Sequence, residues 1–127
     1  MRVLAIESSS VTASAAILTD NTVTAEYSTN FKQTHSQTLL PMIDSICTMT
    51  GTPVESIDLI AVSAGPGSFT GLRIGSATAK GLGLALSIPI ISVPTVDAIA
   101  YNLCGTDAVV CPLMDARRNQ TYTGLYT

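Results

Sequence analysis

From Gly71 onward a small residue returns at every fourth position: Gly71, Gly75, Ala79, Gly83 and Ser87. At about 100° per residue, that spacing puts all five on one helical face, which is left nearly bare of side chains. A glycine inside a helix costs about 1 kcal/mol relative to alanine. Three on one face are tolerable only where another backbone comes very close, the geometry known from small-xxx-small helix contacts. Thr70 to Ser87 is therefore expected to be a helix with one flat side, pressed against a neighbour.

The segment before it, Gly65-Pro66-Gly67-Ser68-Phe69-Thr70-Gly71-Leu72-Arg73, has the look of a phosphate loop. Its spacing denies that reading. A P-loop needs G-x-x-x-x-G-K-[ST], and no lysine stands here; the dinucleotide fingerprint needs glycine where Thr70 stands. Donors at the helix start could hold an anion. Packing is the favoured reading: Gly65 and Gly67 turn the chain out of a buried strand, Ile57 to Ala64, and the helical glycines permit close contact.

Upstream, residues 2–7, 12–19 and 23–28 read as three strands with tight turns, an antiparallel meander, with Asp20-Asn21 as a hairpin signal. Thr34-x-x-Gln37 is a capping-box pattern opening a helix from His35 to Thr50, stopped by Gly51. Pro41 falls inside it and predicts a kink or a later start. Its apolar residues Leu39, Leu40, Met42, Ile43, Ile46, Cys47 and Met49 cover half the circumference, wider than one sheet requires. The surplus predicts a second contact surface. Downstream come a short strand at 89–93, a helix at 95–103 capped by Thr95, a strand at 108–114, a polar turn at 115–119 and a strand at 121–126.

Charged residues make up only 12% of the chain, so part of the surface is expected to meet a partner. The six bases (Arg2, Lys32, Arg73, Lys80, Arg117, Arg118) are scattered and the net charge is −3. No basic stripe exists to neutralise phosphates, which argues against unaided nucleic-acid binding. The opening MRVLAIESSS lacks a signal-peptide layout, and no apolar run reaches the roughly 20 residues of a membrane span. Three cysteines without C-x-x-C spacing fit reduced thiols in a cytosolic protein, and all three read as core residues.

Little chemistry is available. Glu7 ends the first strand without the glycine that would let a phosphate approach, and reads as a hydrogen-bonded structural carboxylate. His35 is the only histidine, too few for a zinc site of three or four protein ligands. It reads as a helix N-terminal residue bonding locally. No catalytic residue, metal or cofactor is expected.

The motifs LAIESS, HSQTLLPMI, GPGSFTGLRIG and Asp115-Ala116-Arg117 occur in an order that resembles the TsaB (YeaZ) family, over essentially the whole chain. The resemblance implies an α/β fold of the actin/Hsp70-like, ribonuclease H-like kind: a mixed sheet of an antiparallel three-strand meander followed by helix-strand units. Residues 1–106 would form a first subdomain, and 107–127 the start of a second, incomplete one. It marks Glu7, His35, Gly65, Pro66, Gly67, Ser68, Phe69, Thr70, Arg73, Asp115 and Arg117 as structural motif residues.

The family is the non-catalytic partner of a TsaD-type subunit that transfers threonylcarbamoyl to N6 of adenosine 37 in tRNA, with a TsaE-type ATPase as third subunit. Where the catalytic paralogue carries a metal-binding His-x-x-x-His, this chain has Thr95-Val96-Asp97-Ala98-Ile99. The resemblance further implies that the first two helices pack on the catalytic subunit or on a second copy. Leu39, Leu40, Met42, Ile43, Ile46 and Met49 on one helix, and Gly71, Gly75, Ala79 and Gly83 on the other, are the expected interface. The competing readings are an enzyme of the same superfold, M22 peptidase-like or sugar-kinase-like, and a direct tRNA-binding module.

Overall fold

The computed structural model describes residues 1–31 and 34–127; Lys32, one of the six bases, lies outside the described residues. Strands β1 (Arg2–Glu7), β2 (Ala13–Thr19) and β3 (Thr22–Thr29) form the expected meander. Asp20 and Asn21, with φ of 46° and 68°, make the β2–β3 turn in the left-handed region that hairpin twist favours. The Met1 ammonium lies 2.6 Å from the Asp20 carboxylate. That hydrogen bond, with charge attraction, holds the amine above its ordinary pKa and the carboxyl below its own.

After α1 (His35–Thr50) and a 3-10 turn at Val54–Ser56, β4 (Leu59–Ser63) adds parallel to β1. After α2 (Phe69–Leu86), β5 (Ile90–Val93) adds parallel to β4, and α3 (Thr95–Tyr101) follows. The five strands run in the order β3-β2-β1-β4-β5, and β6 (Leu113–Arg117) and β7 (Gln120–Thr123) make a separate two-stranded sheet.

One face of the large sheet carries the core. Leu4 sits beside Ile17 and Ile60 in register. With Ile6, Ala15 and Val62, they meet Leu39, Met42, Ile43, Ile46 and Cys47 of α1 and Ala79 of α2. Each fully buried leucine or isoleucine contributes about 1.5–3 kcal/mol. Helix α1 runs unbroken through Pro41, contrary to the expected kink or late start. Pro41 and Gln37 are both exposed, so the carbonyl that Pro41 cannot serve stands on the solvent side. The helix stops where expected: Gly51, at φ 60°, takes the left-handed cap, and the Thr52 amide donates back to the Cys47 carbonyl at 2.9 Å.

Several local expectations fail. Thr34 is the N-cap of α1, but its hydroxyl lies 3.0 Å from Ser36 Oγ instead of capping, and the Gln37 amide bonds the Thr34 carbonyl. Thr95 is the first residue of α3 rather than its cap, and its hydroxyl is buried without a partner. The strand expected at 108–114 starts at Leu113, after Pro112, and extends to Arg117, into the segment expected as a turn. The turn falls at Arg118-Asn119, the last part of the expected 115–119 segment, where residues 117–119 all have positive φ, from 52° to 63°. Only Cys47 of the three cysteines is buried, its thiol pushed up chiefly by that burial; Cys104 and Cys111 are exposed.

The flat side of α2 is used inside the molecule. A Cβ on Gly71 would strike the Ser8 carbonyl, and one on Gly75 would strike Ser8 Oγ. One on Gly83 would come within 2.7 Å of Ile90 Cδ1. The close neighbour that the glycines demand is therefore this chain's own sheet. Gly71, Gly75, Ala79 and Gly83 are all buried, which removes them as interface residues.

Gly75→Ala is expected to lower stability by about 2–4 kcal/mol, because the methyl collides with a buried, hydrogen-bonded hydroxyl. Gly81→Ala meets open space on the same helix and should raise stability by up to about 1 kcal/mol. Urea denaturation of both variants checks the pair; equal effects would mean that the contact with Ser8 is not what fixes α2.

Candidate functional site: a hydroxyl-lined cleft and an exposed helical layer

The motif residues converge more closely than their spacing in sequence suggests. The β1–β2 loop, the N-termini of α1 and α2 and the β6–β7 hairpin enclose a cleft of about 950 Å³. Ser9 and Ser10 lie on the first of these, Thr34 and His35 on the second, Ser68, Phe69 and Thr70 on the third, and Asp115 and Arg117 on the hairpin.

Local bonds build each wall. Ser8 Oγ donates to the Gly71 carbonyl at 2.8 Å, and the Ser68 amide donates to the Ser9 carbonyl at 2.7 Å, which seats the glycine loop on the end of β1. Ser68 is the N-cap of α2, accepting from the Gly71 amide at 3.2 Å. Gly65, at φ 101°, makes the turn out of β4 in a conformation that favours glycine, and its carbonyl accepts from Thr95. The guanidinium of Arg73 lies 5.3 Å from the Phe69 ring centroid, outside the cleft. His35 does not bond locally as expected. Its Nε2 lies 2.7 Å from the carbonyl of Ser10, so it carries the proton there and ties α1 to the β1–β2 loop.

The chemistry in the cleft is quiet. Asp115 accepts from the Arg117 amide at 2.7 Å, which fixes the tight hairpin end. Among the described residues no group of three or more His, Cys, Asp or Glu is placed to hold a metal. No described hydrogen bond joins His35 to a serine or cysteine nucleophile. Glu7 stands on the opposite face of the sheet, where it accepts from the Ser9 amide at 2.5 Å.

The expected interface residues divide. Leu39, Met42, Ile43 and Ile46 are buried in the chain's own core and present nothing to a partner, because α1 needs that much of its circumference to cover β2, β3 and α2. Leu40 (53% exposed) and Met49 (83%) remain outside, as does Leu84 of α2 (84%). Sequence reasoning missed Phe31 and Tyr122, which line the cleft, and Ser8 and Ser9, which anchor it. Phe31 and Phe69 are the chain's two phenylalanines and both are exposed, which sequence periodicity does not signal because neither belongs to a stripe.

The anchor of the hairpin wall is Tyr126, whose hydroxyl donates to Asp97 of α3 at 2.5 Å, while its backbone pairs with Val110. That hydrogen bond, then burial and the nearby charge, raise the phenol's pKa. Its contribution is complete below the ordinary phenol pKa and is lost as pH climbs through the raised value. Tyr126→Phe should speed amide exchange at Val110 several-fold and remove from the ultraviolet titration a phenol that ionises above its ordinary value. Unchanged exchange would show that Tyr126 does not anchor the hairpin.

A family model described as TsaD, tRNA N6-adenosine threonylcarbamoyltransferase, matches residues 22–127. A tRNA threonylcarbamoyladenosine biosynthesis protein TsaB of Bacillus subtilis is 41% identical over 126 residues, 99% of this chain and 55% of that protein. The TsaB of Escherichia coli is 37% identical over 128 residues, again 99% and 55%. Among solved structures, YeaZ from Pseudomonas aeruginosa superposes with a TM-score of 0.88 at 31% identity, covering 98% of this chain and 59% of that one. The chain thus spans a little over half the length of the relatives it matches.

Proposed function

The chain belongs to the TsaB (YeaZ) family within the wider TsaD group, and from that membership we propose that it is a non-catalytic assembly subunit in tRNA N6-threonylcarbamoyladenosine biosynthesis. It docks on a TsaD-type catalytic subunit through the outward side of α1 and α2. The observation that carries this reading is that Leu40 and Met49, on the two edges of α1, and Leu84 of α2 are exposed apolar side chains which the chain's own core leaves unused. The quiet cleft supports the absence of chemistry: Asp115 bonds a backbone amide in its own hairpin, and His35 bonds a carbonyl. A second copy occupies the same helical layer when the catalytic subunit is absent, and a TsaE-type ATPase completes the assembly. The tRNA is met only within that complex, in keeping with a net charge of −3. No described helix is long and apolar enough to cross a membrane.

The double variant Leu40→Asp, Met49→Asp should lose co-elution with the cognate TsaD-type subunit. Burying a leucine or methionine side chain contributes about 1.5–3 kcal/mol, so a charge at each position should weaken the complex at least tenfold. Both side chains are exposed, so the variant's melting temperature should stay close to that of the parent. Threonylcarbamoyladenosine formation in the reconstituted system should fall in parallel. Undiminished co-elution would remove the helical layer as the interface.

A further inference from the structure

Both long helices are pinned to one short loop. Ser8, Ser9 and Ser10 follow β1 directly. Ser8 Oγ donates to the Gly71 carbonyl at 2.8 Å, and the Ser9 carbonyl accepts from the Ser68 amide at 2.7 Å, so the first two residues hold α2. The third holds α1, because the Ser10 carbonyl accepts from His35 Nε2 at 2.7 Å. The imidazole also reaches α2, lying 3.1 Å from where a Gly71 Cβ would stand.

Among the described residues this is the only side-chain hydrogen bond from α1 to anything beyond its own flanking residues. The rest of the seat is apolar: Leu39, Met42, Ile43, Ile46 and Cys47 against β2, β3 and α2. Apolar attraction is non-directional, and packed helices can shift past one another by about 1–2 Å. A hydrogen bond of 2.7 Å is lost over that displacement.

The rotation of α1 matters to the helical layer. From Leu40 to Met49 the helix makes about two and a half turns, which puts the two side chains on opposite edges. Turning α1 therefore raises one as it sinks the other, and a single setting leaves both outside. His35, Leu39, Met42 and Ile46 fall on one stripe, so a bond at His35 fixes that setting.

We propose that His35 is the positioning residue of the docking surface. Through Ser10 it fixes α1 in rotation and register against α2, and with them the places of Leu40 and Met49 relative to Leu84. The inference rests on the reading of the helical layer as the face that meets a TsaD-type subunit.

The test compares His35→Ala, His35→Gln and His35→Asn for affinity toward the cognate TsaD-type subunit, by calorimetry, with melting temperatures alongside. His35→Ala should bind about tenfold more weakly, although Leu40 and Met49 are untouched. The glutamine amide reaches as far as imidazole Nε2 and donates, so His35→Gln should restore most of the affinity. The asparagine amide stops one carbon short, so His35→Asn should stay as weak as alanine. A role in stability alone would instead order binding by melting temperature. Parent-like affinity of His35→Ala, with the Leu40→Asp, Met49→Asp variant still failing to bind, overturns the proposal and leaves the docking reading intact. Full binding by that double variant overturns the docking reading and this inference together. Equal affinities of the glutamine and asparagine variants overturn the proposal as well, and that pair decides the matter if His35→Ala misfolds.

Discussion

The architecture depends on how closely α2 lies over the end of β1. Ser8 fills the space that two missing methyl groups leave at Gly71 and Gly75, and its hydroxyl returns a hydrogen bond to the helix at the Gly71 carbonyl. That contact lowers the N-terminus of α2 onto the β1–β2 loop, where the Ser68 amide reaches the Ser9 carbonyl. His35 is held against the same place, its ring 3.1 Å from where a Gly71 Cβ would stand. Three segments far apart in sequence meet there because one helix face carries no side chains. The helical glycines weaken α2 as an isolated helix by about 1 kcal/mol each, and the contact they permit offsets that loss.

The meander, the two long helices and the parallel strands were legible in the sequence because each rests on local chemistry. The apolar run in 2–7, the left-handed pair Asp20-Asn21 and the cap at Gly51 act over a few residues. The stripe on α2 correctly demanded a close neighbour, but spacing says nothing about which backbone supplies it. The wide apolar arc of α1 was misread for a related reason. A helix wedged between a sheet and a second helix needs more than one narrow stripe, and four of the six residues set aside for a partner are consumed there. His35 and the hairpin bounds failed because tertiary bonds decided them, from Ser10 and from Val110 with Tyr126.

Part of the sheet's face opposite the core was visible in the sequence too: Ala5 and Ala61 stand between larger apolar residues in their strands, whereas Ala16 lies between Ala15 and Ile17 in β2. It was passed over because alanine reads as neutral in a strand pattern. Only the register, which sets the three side by side, turns them into a surface. The helical layer and that surface then divide one sheet between them. The first has exposed apolar side chains at Leu40 and Met49, and the second is an alanine strip edged by carboxylates.

The pairing of β1 with β4 also has a consequence for how the chain folds as it is made. Residues 1–29 hold a complete local meander, and local contacts form fast. Helix α1 follows directly in sequence and can cover β2 and β3 as soon as residue 50 is free. Beyond that the order of synthesis imposes a wait. Strand β1 keeps one edge open until Leu59–Ser63 arrives, and the bond from Ser8 cannot close before Gly71 has left the ribosome. For that interval the open edge of β1 is a backbone ladder exposed to other nascent chains. The arrival of β4 therefore ends the period in which that edge of β1 can pair with the wrong strand.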